Sequence, residues 1–154
     1  MRKTSTRRAA GRVKHAGYRL DEQIGFLLRC AYQRATGNLL SQIGAHDLTT
    51  PQFATLARLY ERGRVSQNLL GRLVAMEPAN IRDVVLRLRK RRLVKIERAP
   101  DDARLTLVSL TQSGTALVEV LIPVEIKSTA RTLATLEPGE RKFLFELLRR
   151  IAEN

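Results

Sequence analysis

Residues 93–111 read LVKIERAPDDARLTLVSLT, and this stretch decides the fold class of the chain. Its two ends, 93–97 and 105–110, alternate apolar and polar residues and include β-branched side chains, a pattern typical of strands. The proline and the two aspartates between them favour a turn. The stretch therefore predicts a β-hairpin. The turn also raises a question, because Asp101 and Asp102 lie side by side in a chain that is otherwise strongly basic.

Two short helices are predicted directly before this hairpin. Ser66 is a candidate N-cap for the first helix, and Glu77-Pro78 favours the start of the second. The apolar residues of the second helix follow the i, i+3, i+4, i+7 spacing of one helix face, and its other face is polar and basic. Two such helices match a helix-turn-helix, and the hairpin after them completes a winged helix-turn-helix. The apolar positions are Ile81, Val84, Val85 and Leu88.

Longer amphipathic helices are predicted on both sides of this winged unit. The first covers residues 20–44, with two acidic residues in its first turn, where they favour the positive end of the helix dipole. Another helix starts at 49–52, and the last two cover residues 112–152. The predicted fold class is mainly α with a small β-hairpin wing, in one domain over 20–154 whose winged helix-turn-helix spans 48–111. One monomer has too little core to bury all these apolar faces, so we predict a homodimer joined by the N- and C-terminal helices.

The charge of the chain indicates a polyanionic partner. Its 154 residues include 28 lysines and arginines against 15 aspartates and glutamates, which gives a formal net charge of +13. Double-stranded DNA is the first candidate partner, an anionic membrane surface is the second, and ribosomal association also fits charge alone. Residues 1–19 contain seven basic residues and no acid. They predict a flexible basic arm that either contacts DNA or is only a solvated tail.

The residue content disfavours several other classes of function. One cysteine and two distant histidines argue against a disulfide framework and against a metal site. No Ser/His/Asp group, glycine-rich phosphate loop or carboxylate constellation is recognisable, so we expect neither an enzyme nor a bound cofactor. No apolar run approaches the roughly 20 residues of a membrane span, and the N-terminus has no apolar signal region. We therefore expect a cytoplasmic protein without a membrane partner.

Taken together, these motifs resemble the MarR family of bacterial transcriptional regulators. The resemblance extends over about residues 20–152. Its strongest element is DARLTLVSLT at 102–111, which matches the family's wing signature D-x-R-x-x-x-V-x-L-T. Residues 48–53 and 87–94 also match in kind and in spacing. The agreement of several motifs in order supports the resemblance more than any one of them does.

Two positions depart from the family pattern. Ala103 stands where relatives commonly carry a second wing arginine, so one contact to DNA is missing unless Arg98 or the basic arm compensates. Arg92 stands where a glycine commonly follows the recognition helix, so the usual helix C-cap is absent.

The resemblance implies a repressor that binds a palindromic operator as a homodimer and is released by a small molecule. Residues 21–29 are most similar to members that control aromatic-acid breakdown, which implies an anionic aromatic acid or its CoA thioester as effector. Two alternatives stay open: an architectural or non-specific DNA-binding protein, and a redox-sensing regulator that uses Cys30. Redox sensors of the family place a cysteine directly before a phenylalanine, and that position holds Gly25 here.

The second helix of the helix-turn-helix is the predicted recognition helix, with its N-terminal residues nearest the bases in the major groove. Asparagine can bond to adenine and arginine to guanine, whereas residues further along reach phosphates. The alternative is a solvated charged face on an ordinary helix. Ser66 and Gln67, at the start of the preceding helix, are candidate phosphate contacts because free N–H groups point outward there. The candidates on the recognition helix are Ala79, Asn80, Arg82, Asp83 and Arg87.

The two wing aspartates are predicted to have separate roles. By resemblance, Arg104 enters the minor groove, where arginine responds to groove width and potential. Asp102 cannot attract phosphate, so we expect it to orient Arg104 through a charge-assisted hydrogen bond. The alternative for Asp102 is a local turn-forming bond, the role we assign to Asp101.

By resemblance, an effector cavity lies between the first, second and fifth helices and the DNA-binding lobe. Arg29, Tyr32 and Phe53 are the candidate contacts, because they supply charge and aromatic surface for an anionic ring compound. The alternative is core packing for Tyr32 and Phe53, with Arg29 at a dimer interface.

Overall fold

The computed structural model describes residues 17–102 and 104–153, so most of the predicted basic arm and Ala103 lie outside the described residues. Within this part of the chain, no helix is long and apolar enough to cross a membrane. The structure is mainly helical, with one small antiparallel sheet. The elements are α1 (Ile24–Ile43), α2 (Thr50–Arg62), β1 (Val65–Ser66), α3 (Gln67–Leu73), α4 (Pro78–Lys90), β2 (Val94–Arg98), β3 (Thr106–Leu110), α5 (Gln112–Thr132) and α6 (Pro138–Ala152), with short 3-10 turns at Leu20–Glu22 and Gly44–His46.

Side-chain caps explain where the helices of the winged unit begin. The Thr49 hydroxyl accepts a hydrogen bond from the Gln52 N–H at 3.4 Å, and the Gln52 side chain accepts one from the Thr49 N–H at 3.0 Å. This capping box occupies two N–H groups that have no partner inside α2. The Ser66 hydroxyl accepts from the Leu69 N–H at 3.3 Å at the start of α3. The helix starts predicted at residue 49 and at Ser66 are therefore confirmed.

The first predicted helix begins later than expected. Asp21 and Glu22 belong to the 3-10 turn, and Gln23 has an extended backbone with φ −86° and ψ 124°. Because this conformation interrupts helical hydrogen bonding, α1 starts at Ile24. The prediction that both acids lie in the first turn of the long helix is therefore wrong.

The wing is part of a three-stranded sheet rather than an isolated hairpin. β2 and β3 pair antiparallel, with Ile96 opposite Val108, which confirms the predicted hairpin. β1 pairs with the other edge of β3, with Val65 opposite Val108, so the strand order is β1-β3-β2. β1 has only two residues. A strand of two residues shows no alternation in sequence, which is why the third strand was not predicted.

One apolar core holds the winged unit against the long helices. Its fully buried side chains come from α1, α2, α3, α4, β3 and α5, so no single element packs independently of the others. Burial of a leucine or isoleucine contributes about 1.5–3 kcal/mol. The core residues include Leu56, Leu59, Leu70, Ile81, Val85, Leu88, Val108, Val118 and Leu121.

The junction of wing and α5 is built on close backbone contacts. The Thr111 hydroxyl donates to the Arg92 carbonyl at 2.7 Å, and the Thr111 N–H donates to the Leu93 carbonyl at 3.1 Å. A Cβ at Gly114 would lie 2.0 Å from the Leu93 carbonyl oxygen, so only glycine fits here. The first turn of α5 is thereby fixed on the chain that enters β2.

Arg92 adopts the conformation for which the family uses glycine. Its φ is 58°, in the left-handed region, and it directly follows Arg91, the C-cap of α4. A side chain in this region costs about 1–2 kcal/mol. The left-handed conformation that glycine commonly adopts after a helix is therefore present here on an arginine.

The flanking helices leave apolar surface uncovered in one copy of the chain. None of the residues of α6, all of which are described, is buried. On α1 only Leu39 and Ile43 are buried. The large exposed apolar side chains on or next to α1 and on α5 and α6 are Leu20, Ile24, Leu27, Leu28, Tyr32, Leu40, Val120, Ile126, Phe143, Phe145 and Ile151.

Candidate DNA-binding surface and effector cavity

The recognition helix α4 presents one face to the core and the other to solvent. Ile81, Val85 and Leu88 are buried and hold it against the rest of the winged unit. Close packing with α3 fixes its position, because a Cβ at Gly71 would lie 3.0 Å from the Ile81 side chain. All five predicted contact residues of this helix are exposed: Ala79, Asn80, Arg82, Asp83 and Arg87. They lie on one helix, and their exposure is compatible with simultaneous contact to the major groove of DNA.

Ser66 and Gln67 are half-buried at the start of α3. The Ser66 oxygen already accepts the capping hydrogen bond, but its O–H can still donate. The position is therefore compatible with a phosphate contact, which would use a donor that the cap leaves free.

The wing tip contains the predicted contact between Asp102 and Arg104. Asp102 Oδ1 accepts from the Arg104 N–H at 3.0 Å and from Arg104 Nε at 3.2 Å. One carboxylate oxygen thus closes the turn and holds the guanidinium. The Arg104 side chain is 93% exposed, so its remaining donors point into solvent. Arg98, at the end of β2, donates to the Thr106 hydroxyl at 3.2 Å and is also exposed.

Arg91 makes a contact that sequence reasoning missed. Its guanidinium donates to the His46 carbonyl at 2.8 Å and to the Asp47 carbonyl at 2.7 Å. It therefore ties the end of the recognition helix to the connection between α1 and α2. Nothing in the basic run 87–92 distinguishes this arginine from its neighbours.

A cavity of about 750 Å³ lies between α1, α2, α5 and the segment that joins α3 to α4. Tyr32 and Phe53 both line it, as predicted for an effector site. Arg58 and Glu61 also line it and form an ion pair at 2.6 Å. Arg29 is not among the lining residues, and its guanidinium lies 5.7 Å from the centre of the Phe26 ring. The structure therefore brings together two of the three predicted effector contacts.

A second cavity, of about 420 Å³, lies between α1, α5 and α6. Its lining is mainly aliphatic and aromatic. It shares Tyr32, Thr36, Leu39 and Glu125 with the larger cavity, so the two are neighbours across α1 and α5.

Glu125 is the most unusual group of this region. Its Oε2 atom is buried and has no hydrogen-bond partner among the described residues. Burial raises the pKa of the Glu125 carboxyl above its ordinary value of 4.5. Sequence reasoning did not select it. The available signal was one charged residue in the apolar stretch VLIPVEI at 120–126.

The structure adds little to what the sequence indicated about the cysteine and about metal binding. Cys30 is exposed on α1 as a free thiol. Within the described residues, no group of histidine, cysteine and acidic side chains could hold a metal ion.

The MarR family model matches residues 46–105, which include the helix-turn-helix and most of the wing. The transcriptional repressor NicR of Pseudomonas putida is 39% identical over 137 residues, covering 89% of this chain and 87% of that protein. The chain belongs to the MarR family.

Two solved structures of bacterial proteins resemble this chain over nearly their whole length. A probable transcriptional regulator of Pseudomonas aeruginosa is 45% identical, with a TM-score of 0.80, over 86% of this chain and 99% of that one. BpsR of Bordetella bronchiseptica is 36% identical, with a TM-score of 0.85, over 90% of this chain and 99% of that one. The BpsR structure addresses the regulation of DNA binding by 6-hydroxynicotinic acid. The fold expected from the resemblance is therefore confirmed.

Proposed function

We propose that the chain is a ligand-responsive transcriptional repressor that binds double-stranded DNA as a homodimer and is released by a small aromatic acid. The observation that carries the proposal is the position of the larger cavity. It lies between the flanking helices α1 and α5 and the parts of the winged unit that lead into α4. A ligand there contacts both lobes, which is the arrangement needed to change how the DNA-binding surface is held.

The DNA contacts follow from the exposed surface of the winged unit. The N-terminal part of α4 enters the major groove, where Asn80 and Arg82 supply the donors that distinguish bases. Arg104 enters the minor groove at the wing tip, oriented by Asp102. Ala79 and Asp83 lie on the groove-facing part of the helix. Ser66, Gln67, Arg87 and Arg98 contact phosphates, and the basic arm adds sequence-independent attraction.

The homodimer follows from the apolar surface on the flanking helices. α6 has no buried residue, and Phe143 and Ile151 are 59% and 56% exposed. A second copy covers such a surface with the same surface of its own, which gives the two-fold symmetry of a palindromic operator. The two recognition helices then lie about 34 Å apart, one turn of DNA.

The effector proposal rests on the cavity and on the relatives. Drug-sized ligands occupy cavities of about 300–1,000 Å³, and aromatic lining from Tyr32 and Phe53 suits a ring. Arg58 is the one cationic side chain among the residues that line the larger cavity. BpsR, whose DNA binding is regulated by 6-hydroxynicotinic acid, makes an aromatic or pyridine carboxylic acid the first class to test. The CoA thioester of such an acid is the second.

Release follows from a population shift. The dimer binds DNA only when both recognition helices have the spacing of the two half-sites. A ligand that binds better to another spacing lowers the affinity for DNA by the ratio of its affinities for the two states. The relatives reported above are named as transcriptional regulators and not as enzymes, which agrees with a function based on binding.

Fluorescence anisotropy tests the DNA-binding part of this proposal. The full chain is titrated onto labelled DNA from the region upstream of its own gene and onto random DNA of equal length, at one salt concentration. Specific regulators bind their site about 10³-fold or more tightly than random DNA. Equal affinities would favour the architectural alternative. The oligomeric state in the same buffer is measured by light scattering, where a monomer mass would contradict the dimer.

A further inference from the structure

Glu125 lies where the two cavities adjoin each other. It lies on α5 and lines both of them, together with Tyr32, Thr36 and Leu39. Its Oε2 atom is buried and accepts no hydrogen bond from the described residues. Withdrawing a carboxylate oxygen from water without giving it a donor costs free energy. Any molecule that supplies a donor at this point recovers part of that cost.

Three of the donors that line the cavities already make contacts within the chain. Arg58, the cation that lines the larger cavity, pairs with Glu61 at 2.6 Å. The hydroxyls of Thr36 and Thr132, which line the smaller cavity, each donate at 2.9 Å to the carbonyl four residues earlier in their own helix. The described residues therefore leave this Glu125 oxygen without a partner, and Glu125 lines both of the cavities in which a ligand can bind.

We propose that Glu125 determines effector specificity by accepting a hydrogen bond from a hydroxyl or ring N–H group of the aromatic acid. The inference rests on the proposed function and narrows it, from aromatic acids in general to those that carry a donor besides the carboxylate. The Glu125 carboxylate also orients the ligand. The ligand carboxylate is repelled by Glu125, so the donor faces Glu125 and the carboxylate points away from it.

Matched pairs of acids test this role, because the members of a pair differ only in the donor. Isothermal titration calorimetry compares 6-hydroxynicotinic acid with nicotinic acid, and 4-hydroxybenzoic acid with benzoic acid, on the full chain. The hydroxylated member of at least one pair binds about tenfold more tightly, the effect of one hydrogen bond to a charged group. Glu125→Leu removes the acceptor and brings the two members of that pair within about twofold of each other.

Two further variants separate recognition from packing. Glu125→Gln keeps a weaker, neutral acceptor and gives an intermediate preference. Glu119→Gln is the matched control, because Glu119 is exposed on the same helix and lines neither cavity. The control keeps the full preference. A variant that fails to fold is recognised by its circular dichroism spectrum, in which case Glu125→Gln decides the outcome.

The possible results distinguish this inference from the proposed function. If the unmodified chain binds none of the four acids, the effector class and the role of Glu125 are both overturned. If it binds them but shows no preference for the hydroxylated members, only the role of Glu125 is overturned. The same conclusion follows if the preference survives in both Glu125 variants.

Discussion

The wing tip and the cavity each depend on one carboxylate, and the two carboxylates are in opposite situations. Asp102 is near the surface, and one of its oxygens accepts two hydrogen bonds from Arg104. The Oε2 of Glu125 is buried and accepts none from the residues that the structure describes. The first carboxylate is satisfied by its own chain and fixes the position of a cation. The second is unsatisfied among the described residues, and we propose that a ligand supplies its hydrogen-bond donor. A carboxylate whose hydrogen bonds are made within the chain fixes the position of a neighbouring side chain. A carboxylate that lacks a donor is suited to bind a ligand that supplies one.

The largest effect is expected where the two regions are joined. Helix α5 carries Glu125, and its first turn packs against the chain that enters the wing. Gly114→Ala would place a Cβ 2.0 Å from the Leu93 carbonyl oxygen. Overpacking against backbone lowers the free energy of unfolding by about 2–3 kcal/mol. Urea denaturation measures this change in the free energy of unfolding. Gly139→Ala, in the first turn of α6 with open space around the new Cβ, is the control and changes stability little.

The next largest effect is expected from Arg104→Ala. Each half-site loses one minor-groove contact, so operator affinity falls about tenfold or more and the salt slope flattens by about one unit per arginine removed. Anisotropy titrations at several salt concentrations measure both quantities. An unchanged affinity and an unchanged salt slope would place Arg104 away from the DNA backbone and groove.

Asp102→Ala isolates the geometric role of the wing carboxylate. Although the variant is more basic, its operator affinity falls about two- to fivefold, since an exposed ion pair contributes up to about 1 kcal/mol. Asp101→Ala is the matched control, because it removes the same charge from the neighbouring residue and leaves the contact to Arg104 intact. Tighter binding by both variants would show that only net charge matters.

The smallest effect is a pH dependence at Glu125. Burial raises the pKa of this carboxyl in the folded protein, so the folded state binds the proton more tightly than the unfolded state does. The contribution of protonated Glu125 to the free energy of unfolding is complete below pH 4.5, the ordinary pKa of the group. It is lost as the pH rises through the raised pKa of the folded state. Glu125→Gln is therefore more stable than the unmodified chain at pH 7, and the difference disappears below pH 4.5.

Melting temperatures of the two proteins at pH 7 and pH 4 measure this difference. The titratable and charged groups that line the cavities with Glu125 are Tyr32 on α1 and Arg58 and Glu61 on α2; those from α6 are apolar. These groups are common to both proteins, so their contributions cancel. An equal difference at both pH values would show that Glu125 is not the group responsible.

Local sequence signals predicted most of the winged unit. The caps at Thr49 and Ser66 and the hairpin around Asp101 need only neighbouring residues, and the structure contains all of them. The contact between Asp102 and Arg104 was predictable for the same reason, because the two residues are two positions apart. The roles of these residues on DNA remain predictions.

The cavity was less predictable, because its lining is assembled from distant parts of the chain. Tyr32 and Phe53 were chosen as aromatic residues on facing helices and do line it. Arg29 was chosen for its charge but lines neither cavity, and its guanidinium lies over the ring of Phe26 instead. Glu125 became visible only when packing showed that its oxygen has no partner.

The most direct test of the central claim is DNA affinity measured with and without the proposed effector. The full chain is titrated onto labelled operator DNA in the absence and presence of saturating 6-hydroxynicotinic acid. The same titration is made with 4-hydroxybenzoic acid and with the CoA thioester of each of these two acids. We expect at least one free hydroxylated acid to weaken binding by about tenfold, within the usual range of allosteric coupling. Unchanged affinity with every compound would contradict it.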